Sequence, residues 1–406
     1  MTPHSTEPIR DAAEVEALAE ALAEAGSYAL DLEFVSDGRY VPELGLVQVA
    51  WGEPEAPIVC AIDPVATDPG PVLALTGDPE IETVLHGGQA DLALIAYRFG
   101  VQPHHVVDTQ IAAAFLGLGE QVGFAAAVER ELGIPVDKGP QFTDWLLRPL
   151  SAEQLRYALD DVRLLLPLWE RLRGRLDGTE RMEWVRDESD RLGQNAATRL
   201  APELCYRKVG GYGKLNPVEL GRLRALAAWR EQTALEVNRP PSWILPDPVM
   251  LALCRRPPQG ARELAGVRAM PRRTADRMAG EILEVLEAGA AAPVERPKRP
   301  PRRPADVEAL SPMVGGLVQA VSREHDIAAR FVGTRADIEA LVAWWDDGKP
   351  EPAEGIRMME GWRRALVGEE VLRFLDGERA IAVDRDAPSQ IRLVDADAQG
   401  RERKGR

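Results

Sequence analysis

Residues 29–34 read Ala29-Leu30-Asp31-Leu32-Glu33-Phe34, two carboxylates set two apart inside an apolar run. On a β-strand, side chains two apart leave the same face, so Asp31 and Glu33 would stand side by side. Such a pair is either the solvated acidic face of a strand end or a seat for a hard cation such as Mg²⁺ or Mn²⁺, because two adjacent carboxylates repel until positive charge stands between them. The triplet alone does not choose between the two. Outward from it, residues 11–25 are strong helix formers ended by Gly26, and two further strands follow, Leu44 to Trp51 and Pro57 to Ile62. Three strands with short connections predict an antiparallel meander. Beyond it the pattern alternates: a strand at 82–86, a helix at 89–99, a strand at 106–107 and a helix from Thr109 to Leu116 capped by Asp108. That alternation predicts an α/β layer on the meander.

Two more acids stand where the pattern gives them meaning. Asp91 follows His86-Gly87-Gly88-Gln89-Ala90, a strand end, a glycine turn and a helix start, so it belongs at the C-terminal edge of the sheet, where open α/β sheets place ligands. An acid there also suits the first turn of a helix through the macrodipole. Residues 151–173 read as one long helix, with Ser151 and Gln154 as a capping box. At 100° per residue Asp160 falls with Arg156, Arg163 and Glu170 on a polar face. Asp161 instead shares a stripe with Tyr157, Leu164, Leu165 and Leu168, where an unpaired acid would cost several kcal/mol, of the order of 3. Asp161 is therefore the functional candidate. Tyr157, one turn earlier, is either an aromatic core residue or a hydroxyl beside whatever Asp161 binds. Four carboxylates and a tyrosine suit hydrolysis assisted by two hard divalent ions, Mg²⁺ or Mn²⁺.

The composition sets bounds. At 406 residues with 45% hydrophobic content the chain is long enough for two or three folded domains. Cys60, Cys205 and Cys254 follow neither a disulfide nor a zinc pattern. No signal peptide or membrane-span pattern is present, so a cytoplasmic protein without membrane association is expected. The formal charge of −16 is unevenly spread: residues 1–200 carry 15 Lys and Arg against 34 Asp and Glu, whereas residues 201–304 carry 19 against 11. A basic middle beside an acidic first half fits one domain that holds a polyanion and another that binds cations.

Three motifs together resemble the ribonuclease D family, in the tyrosine subclass of the DEDD exonucleases. They are Asp31-Leu32-Glu33-Phe34 with Tyr40-x-Pro42-x-Leu44-Gly45-Leu46-x-Gln48, then His86-x4-Asp91, then Tyr157 to Asp161 and Val162. Asp108 to Phe115, Asp137-Lys138, and Thr143 through Trp145, Arg148 and Leu150 match as well. The family more often has Thr at Leu32 and basic residues where Ser36-Asp37-Gly38 stand.

The resemblance implies an α/β RNase H-like exonuclease domain followed by all-α helical domains of HRDC type. Asp31, Glu33 and Asp161 would hold the catalytic metal, Asp31 being shared with a second ion that Asp91 supports, and Tyr157 would position the attacking water. His86, Gln89, Lys138, Arg207 and Lys208 are candidate substrate contacts. The expected domains are an exonuclease unit at 1–200, an HRDC domain at 201–290, a basic Pro-rich linker at 291–305, a second HRDC-like helical domain at 306–380 and a flexible tail at 381–406. The implied activity is metal-dependent 3′→5′ trimming of RNA 3′ ends by a monomer, with tRNA precursors and other small structured RNAs as substrates and nucleoside 5′-monophosphates as products. A 3′→5′ DNA exonuclease of repair or proofreading type and a catalytically silent RNA-binding protein are the rival readings.

Overall fold

The computed structural model describes residues 7–136, 143–196, 198–296, 305–350 and 353–396. Strands β1 (Ser27–Val35), β2 (Glu43–Trp51), β3 (Ile58–Ile62), β4 (Glu82–Leu85) and β5 (Val106–Asp108) form one sheet in the order β3-β2-β1-β4-β5. The first three are antiparallel, and β4 and β5 run parallel to β1. The expected meander and α/β layer are therefore halves of a single mixed sheet.

Helices cover both faces. On one side α1 (Ala12–Ala25), α2 (Gly70–Ala74) and α3 (Gln89–Phe99) pack on Tyr28, Leu30, Leu32, Val47, Val49 and Ile62. Leu32 thus points away from the acids. On the other side α4 (Thr109–Phe115), α5 (Phe124–Leu132), α6 (Ala152–Arg163) and α7 (Leu165–Leu176) meet Ala29, Leu46, Ala50, Ala61 and Val84. Helix α8 (Arg181–Ala196) packs across α3, α4 and β5.

The helix expected at 151–173 is two helices. Ser151 and Gln154 form the capping box as expected, but the helix breaks at Leu164. Pro167 is the reason: it has no N–H to give the Arg163 carbonyl, and its ring crowds the preceding turn.

Next to the two acids of β1 the register shifts, so that Glu33 faces Leu46 while Phe34 faces Leu44, and Gly45 is left without a partner. This bulge turns Leu44 and Leu46 to opposite faces of the sheet. It also brings the backbone against Trp145: a Cβ on Gly45 would lie 2.6 Å from the Trp145 Cβ and 2.8 Å from its carbonyl oxygen. The Arg148 guanidinium holds this approach by donating to the Gly45 carbonyl at 2.8 Å and to both carboxylate oxygens of buried Asp63.

Helices Pro217–Glu236, Asp247–Arg255 and Arg272–Ala291 enclose a separate core around Leu220, Leu223, Leu253 and Ile282. The last third of the chain behaves differently, since its Val314, Phe331, Leu341 and Trp362 belong to the same core as α4 to α7. Phe115 meets Phe331 and Trp362 at 5.1 and 5.4 Å, and Trp362 stacks on Trp184 at 4.8 Å. Two expectations for the C-terminal part change. It is not all helical, and residues from 381 onward are not wholly a tail: β6 (Arg379–Val383) pairs antiparallel with β7 (Ile391–Asp395). Alternating Ile381, Val383, Ile391 and Leu393 supply β-favouring side chains for that hairpin, with Arg379 donating to Asp395 across it. Residues 297–304 of the basic linker and residues 397–406 lie outside the described residues.

Two glycine substitutions should separate close approach from open space. Gly45→Ala is expected to lower stability by about 1–3 kcal/mol through overpacking against Trp145. Gly174→Ala in α7, where an added Cβ meets nothing within 4 Å, is expected to raise it by roughly 0.5–1 kcal/mol. Denaturant unfolding of the two variants checks both signs.

Candidate active site

Strand β1 carries Asp31 and Glu33 on the face that α6 covers, and α6 turns Asp161 toward them. One carboxylate oxygen from each of the three lies within 4.8 Å of the others. Asp160, the neighbouring acid, points out and pairs with Arg163, as helical geometry requires. Tyr157, one turn before Asp161, lies beside the Asp161 carboxylate and stacks on Trp145 with ring centroids 6.5 Å apart. Trp145 in turn lies against the Gly45 bulge held by Arg148, so the same clamp that shapes β2 fixes the wall behind Tyr157. A cleft of about 490 Å³ opens beside Tyr157, Asp161, Arg156 and Val136.

Asp91, in the first turn of α3, stands outside that cluster but close enough for its charge to act on Asp31 and Glu33. Its entry turn is fixed from below. The Asp108 carboxylate at the end of β5 accepts from the Gly87, Gly88 and Gln110 backbone N–H groups at 2.9, 3.0 and 2.8 Å. Gly88 allows the turn to press on Leu85, where a Cβ would lie 2.8 Å from the Leu85 Cβ.

Burial together with mutual repulsion defines the electrostatics. Burial holds the Asp31 carboxyl well above its ordinary range, and the charges of Asp91, Glu33 and Asp161 push it further. Burial, then the charges of Asp161 and Asp91, raise Glu33 to about 8. Asp91 is raised to about 7, chiefly by burial, with Asp108 adding to it. Asp161 is raised to about 6 by burial, against the opposing hydrogen bond from Tyr157. The Tyr157 phenol is raised as well, by burial and then by the charges of Asp161 and Glu33, so it stays neutral at physiological pH. Hard oxygen donors converging without a balancing cation suit a divalent metal ion, and Asp31, Glu33 and Asp161 could hold one.

Asp31, Glu33, Tyr157 and Asp161 are thus brought together with Asp91 near them, and the candidate substrate contacts among the described residues are not. Both ring nitrogens of His86 are engaged inside the fold, Nδ1 with the Thr109 hydroxyl at 2.9 Å and Nε2 with the Val122 carbonyl at 3.0 Å. Gln89 is exposed and lines a different cavity beside Gln110 and Arg330. Arg207 and Lys208 are exposed on the turn at 202–208, and Lys208 borders a third cavity with Tyr40, Arg199 and Glu231. Lys138 lies outside the described residues.

Sequence reasoning missed the bracing role of Asp108, which it had only as a helix cap, and the Arg148–Asp63 clamp. It also missed what the loop at 36–42 does. That loop is gripped by the helical module: the Asn238 side-chain carbonyl accepts from the Tyr40 and Val41 N–H groups at 3.0 and 2.8 Å. Arg239 donates to the Gly38 carbonyl at 3.0 Å, and the Tyr40 hydroxyl donates to Glu231. The Arg199 guanidinium completes the contact 3.4 Å from the Tyr97 ring centroid and 5.2 Å from that of Tyr40.

Comparison with known proteins places this geometry among relatives. The family described as 3′-5′ exonuclease matches residues 6–177, and the HRDC domain family matches residues 219–286. A ribonuclease D of Gluconacetobacter diazotrophicus is 35% identical, covering 87% of this chain and 89% of that protein. One of Sphingobium indicum is 36% identical over 87% of this chain and 90% of its own length. The crystal structure of Escherichia coli RNase D, described as an exoribonuclease involved in structured RNA processing, is similar with a TM-score of 0.80. It is 28% identical, and the match covers 92% of this chain and 99% of that one.

The raised carboxyls give a signed expectation for the metal-free protein. A carboxyl whose folded-state value is raised contributes stability below its ordinary range near 4, and loses it as pH climbs through the folded value. For Glu33 that window runs from about 4.5 to about 8. In EDTA, Glu33→Gln should therefore be more stable than the parent by about 1–3 kcal/mol at pH 8.5, with the gap shrinking toward pH 5. Thermal unfolding across that range reads it, and a gap that grows on acidification would contradict the burial argument.

Proposed function

The chain belongs to the ribonuclease D family and is a 3′→5′ exoribonuclease, and from that premise we propose which residues carry the reaction and which RNAs it trims. The observation that supports the assignment is the convergence of Asp31, Glu33 and Asp161 within 4.8 Å, with Tyr157 one helical turn from Asp161 beside them. Asp31, Glu33 and Asp161 hold one divalent ion, Mg²⁺ or Mn²⁺, and Asp31 with Asp91 supports a second. When bound, such a pair supplies positive charge for the attacking water and for the departing 3′-oxygen.

The chain's own residues then do three things. The β1 acids and Asp161 fix where negative charge gathers. Tyr157, neutral and beside Asp161, offers a lone pair to accept a hydrogen bond from the water and aim it at phosphorus. Trp145 stops the Tyr157 ring from swinging away. Attack by the water oxygen on phosphorus and cleavage of the P–O3′ bond release a nucleoside 5′-monophosphate and leave a new 3′-hydroxyl on the shortened strand.

The substrates are tRNA precursors and other small structured RNAs, trimmed by a monomer in the cytoplasm. Two things support this reading: the E. coli relative's part in structured RNA processing, and the basic excess of residues 201–304. Among the described residues no helix is long and apolar enough to cross a membrane. Exonuclease chemistry belongs to residues 1–200. The helices of 201–290 hold RNA backbone through phosphate contacts that weaken with salt. His86, on this reading, braces the α4–α5 connection through its two hydrogen bonds rather than touching RNA.

The test uses 5′-labelled RNA and DNA strands of one sequence with Mg²⁺, Mn²⁺ or EDTA. Asp161→Asn is expected to abolish 3′-end shortening, Asp160→Asn to leave it within about twofold of the parent, and Tyr157→Phe to slow it by about 10²-fold. Loss of activity in Asp160→Asn instead would overturn the assignment of α6. Equal cleavage of DNA would overturn the choice of RNA as the preferred strand.

A further inference from the structure

Strand β2 is buried along almost its whole length, and one of its side chains does not belong in an apolar core. Gln48 is 0% exposed, and among the described residues neither its amide nitrogen nor its amide oxygen has a hydrogen-bond partner. Its flanks on the same sheet face are Leu46 and Ala50 along the strand and Ala61 opposite on β3. Helix α6 closes that face with Ala158 and Val162. An amide carrying two N–H donors and an acceptor is costly to bury unpaired, and Leu or Met would fill the same volume without that cost.

The register shows what the amide is near. On β1 the residue directly opposite Gln48 is Asp31. Directly opposed residues of an antiparallel pair share a face, with Cβ atoms about 4.5–5.5 Å apart. Gln48 and Asp31 are therefore neighbours on the face that α6 covers, and in this structure no hydrogen bond joins them. A carboxylate that holds a cation with one edge stays charged and needs donors for its remaining lone pairs.

We infer that Gln48 is a positioning residue for Asp31: its amide N–H donates to the Asp31 carboxylate when a divalent ion is bound and fixes the orientation in which that carboxylate faces the ion. The inference rests on the reading of Asp31 as a metal ligand given above. It assigns Gln48 no contact with RNA or with the reacting atoms.

The experiment is calorimetric titration of the metal-free protein with Mn²⁺ alone, beside thermal unfolding in EDTA, for the parent, Gln48→Met, Gln48→Leu and Asp31→Asn. Met and Leu are both taken so that a packing fault in one is recognised by the other. The expected result is a Mn²⁺ dissociation constant raised 10- to 100-fold in both Gln48 variants, with a melting temperature in EDTA equal to or above the parent's. On RNA, kcat should fall while KM stays within twofold, and excess Mn²⁺ should restore part of the rate. A Mn²⁺ affinity within twofold of the parent in a folded Gln48 variant, with Asp31→Asn losing the metal, overturns the role of Gln48 and leaves the metal site standing. Unchanged affinity in Asp31→Asn as well overturns the metal reading beneath it. A lowered melting temperature with unchanged affinity makes Gln48 a packing residue only.

Discussion

Repulsion among the carboxylates governs the architecture. Asp31, Glu33 and Asp161 are brought together on one sheet face, with Asp91 adding its charge, and burial shifts all four toward the neutral form. Nothing in their own chemistry favours that gathering, so the surroundings must impose it. The structure does so with rigid parts: a central strand for two acids, a helix fixed by a full capping box for the third, and a glycine turn pinned by Asp108 for the fourth. The acids come from three separate places in the chain and meet only because a mixed sheet carries them there.

Three of the acids were legible from a local period, and Asp91 from the glycine turn before its helix. Spacing of two put Asp31 and Glu33 on one face, and 100° per residue chose Asp161 over Asp160. That choice survived even though the helix containing it ends sooner than its pattern suggests, since the break at Leu164 falls after the residues that decide it. Pro167 carried the signal for the break and was outweighed by a strong leucine repeat. Meander, alternation and caps were likewise local and appear as read.

What stayed hidden depends on partners distant in sequence. Gly45 and Arg148 appear in the sequence only as motif residues, and nothing local to either shows that Trp145 lies against the one and Asp63 beneath the other. The departure at Ser36-Asp37-Gly38 from the basic residues usual in the family has a physical counterpart. That loop presents backbone groups to Asn238 and Arg239, almost 200 residues later, and the positive charge at this place comes from Arg199 and Arg239. The C-terminal hairpin was hidden for another reason: its strands are short and half-exposed, so charge and polarity masked their alternation.

The shared core has a bearing on how the protein comes into being. Phe115, at the end of a helix beneath the sheet, is closed over by Phe331 and Trp362, which follow it by more than 200 residues. A ribosome releases the exonuclease sheet long before it releases those rings, and until then the sheet's underside lacks its lid. Long-range closure of this kind orders events in time. The nuclease half is translated first and part of its core is completed by rings made later, so an enzyme that consumes RNA from its ends stays unfinished until the segment carrying Phe331 and Trp362 has been made.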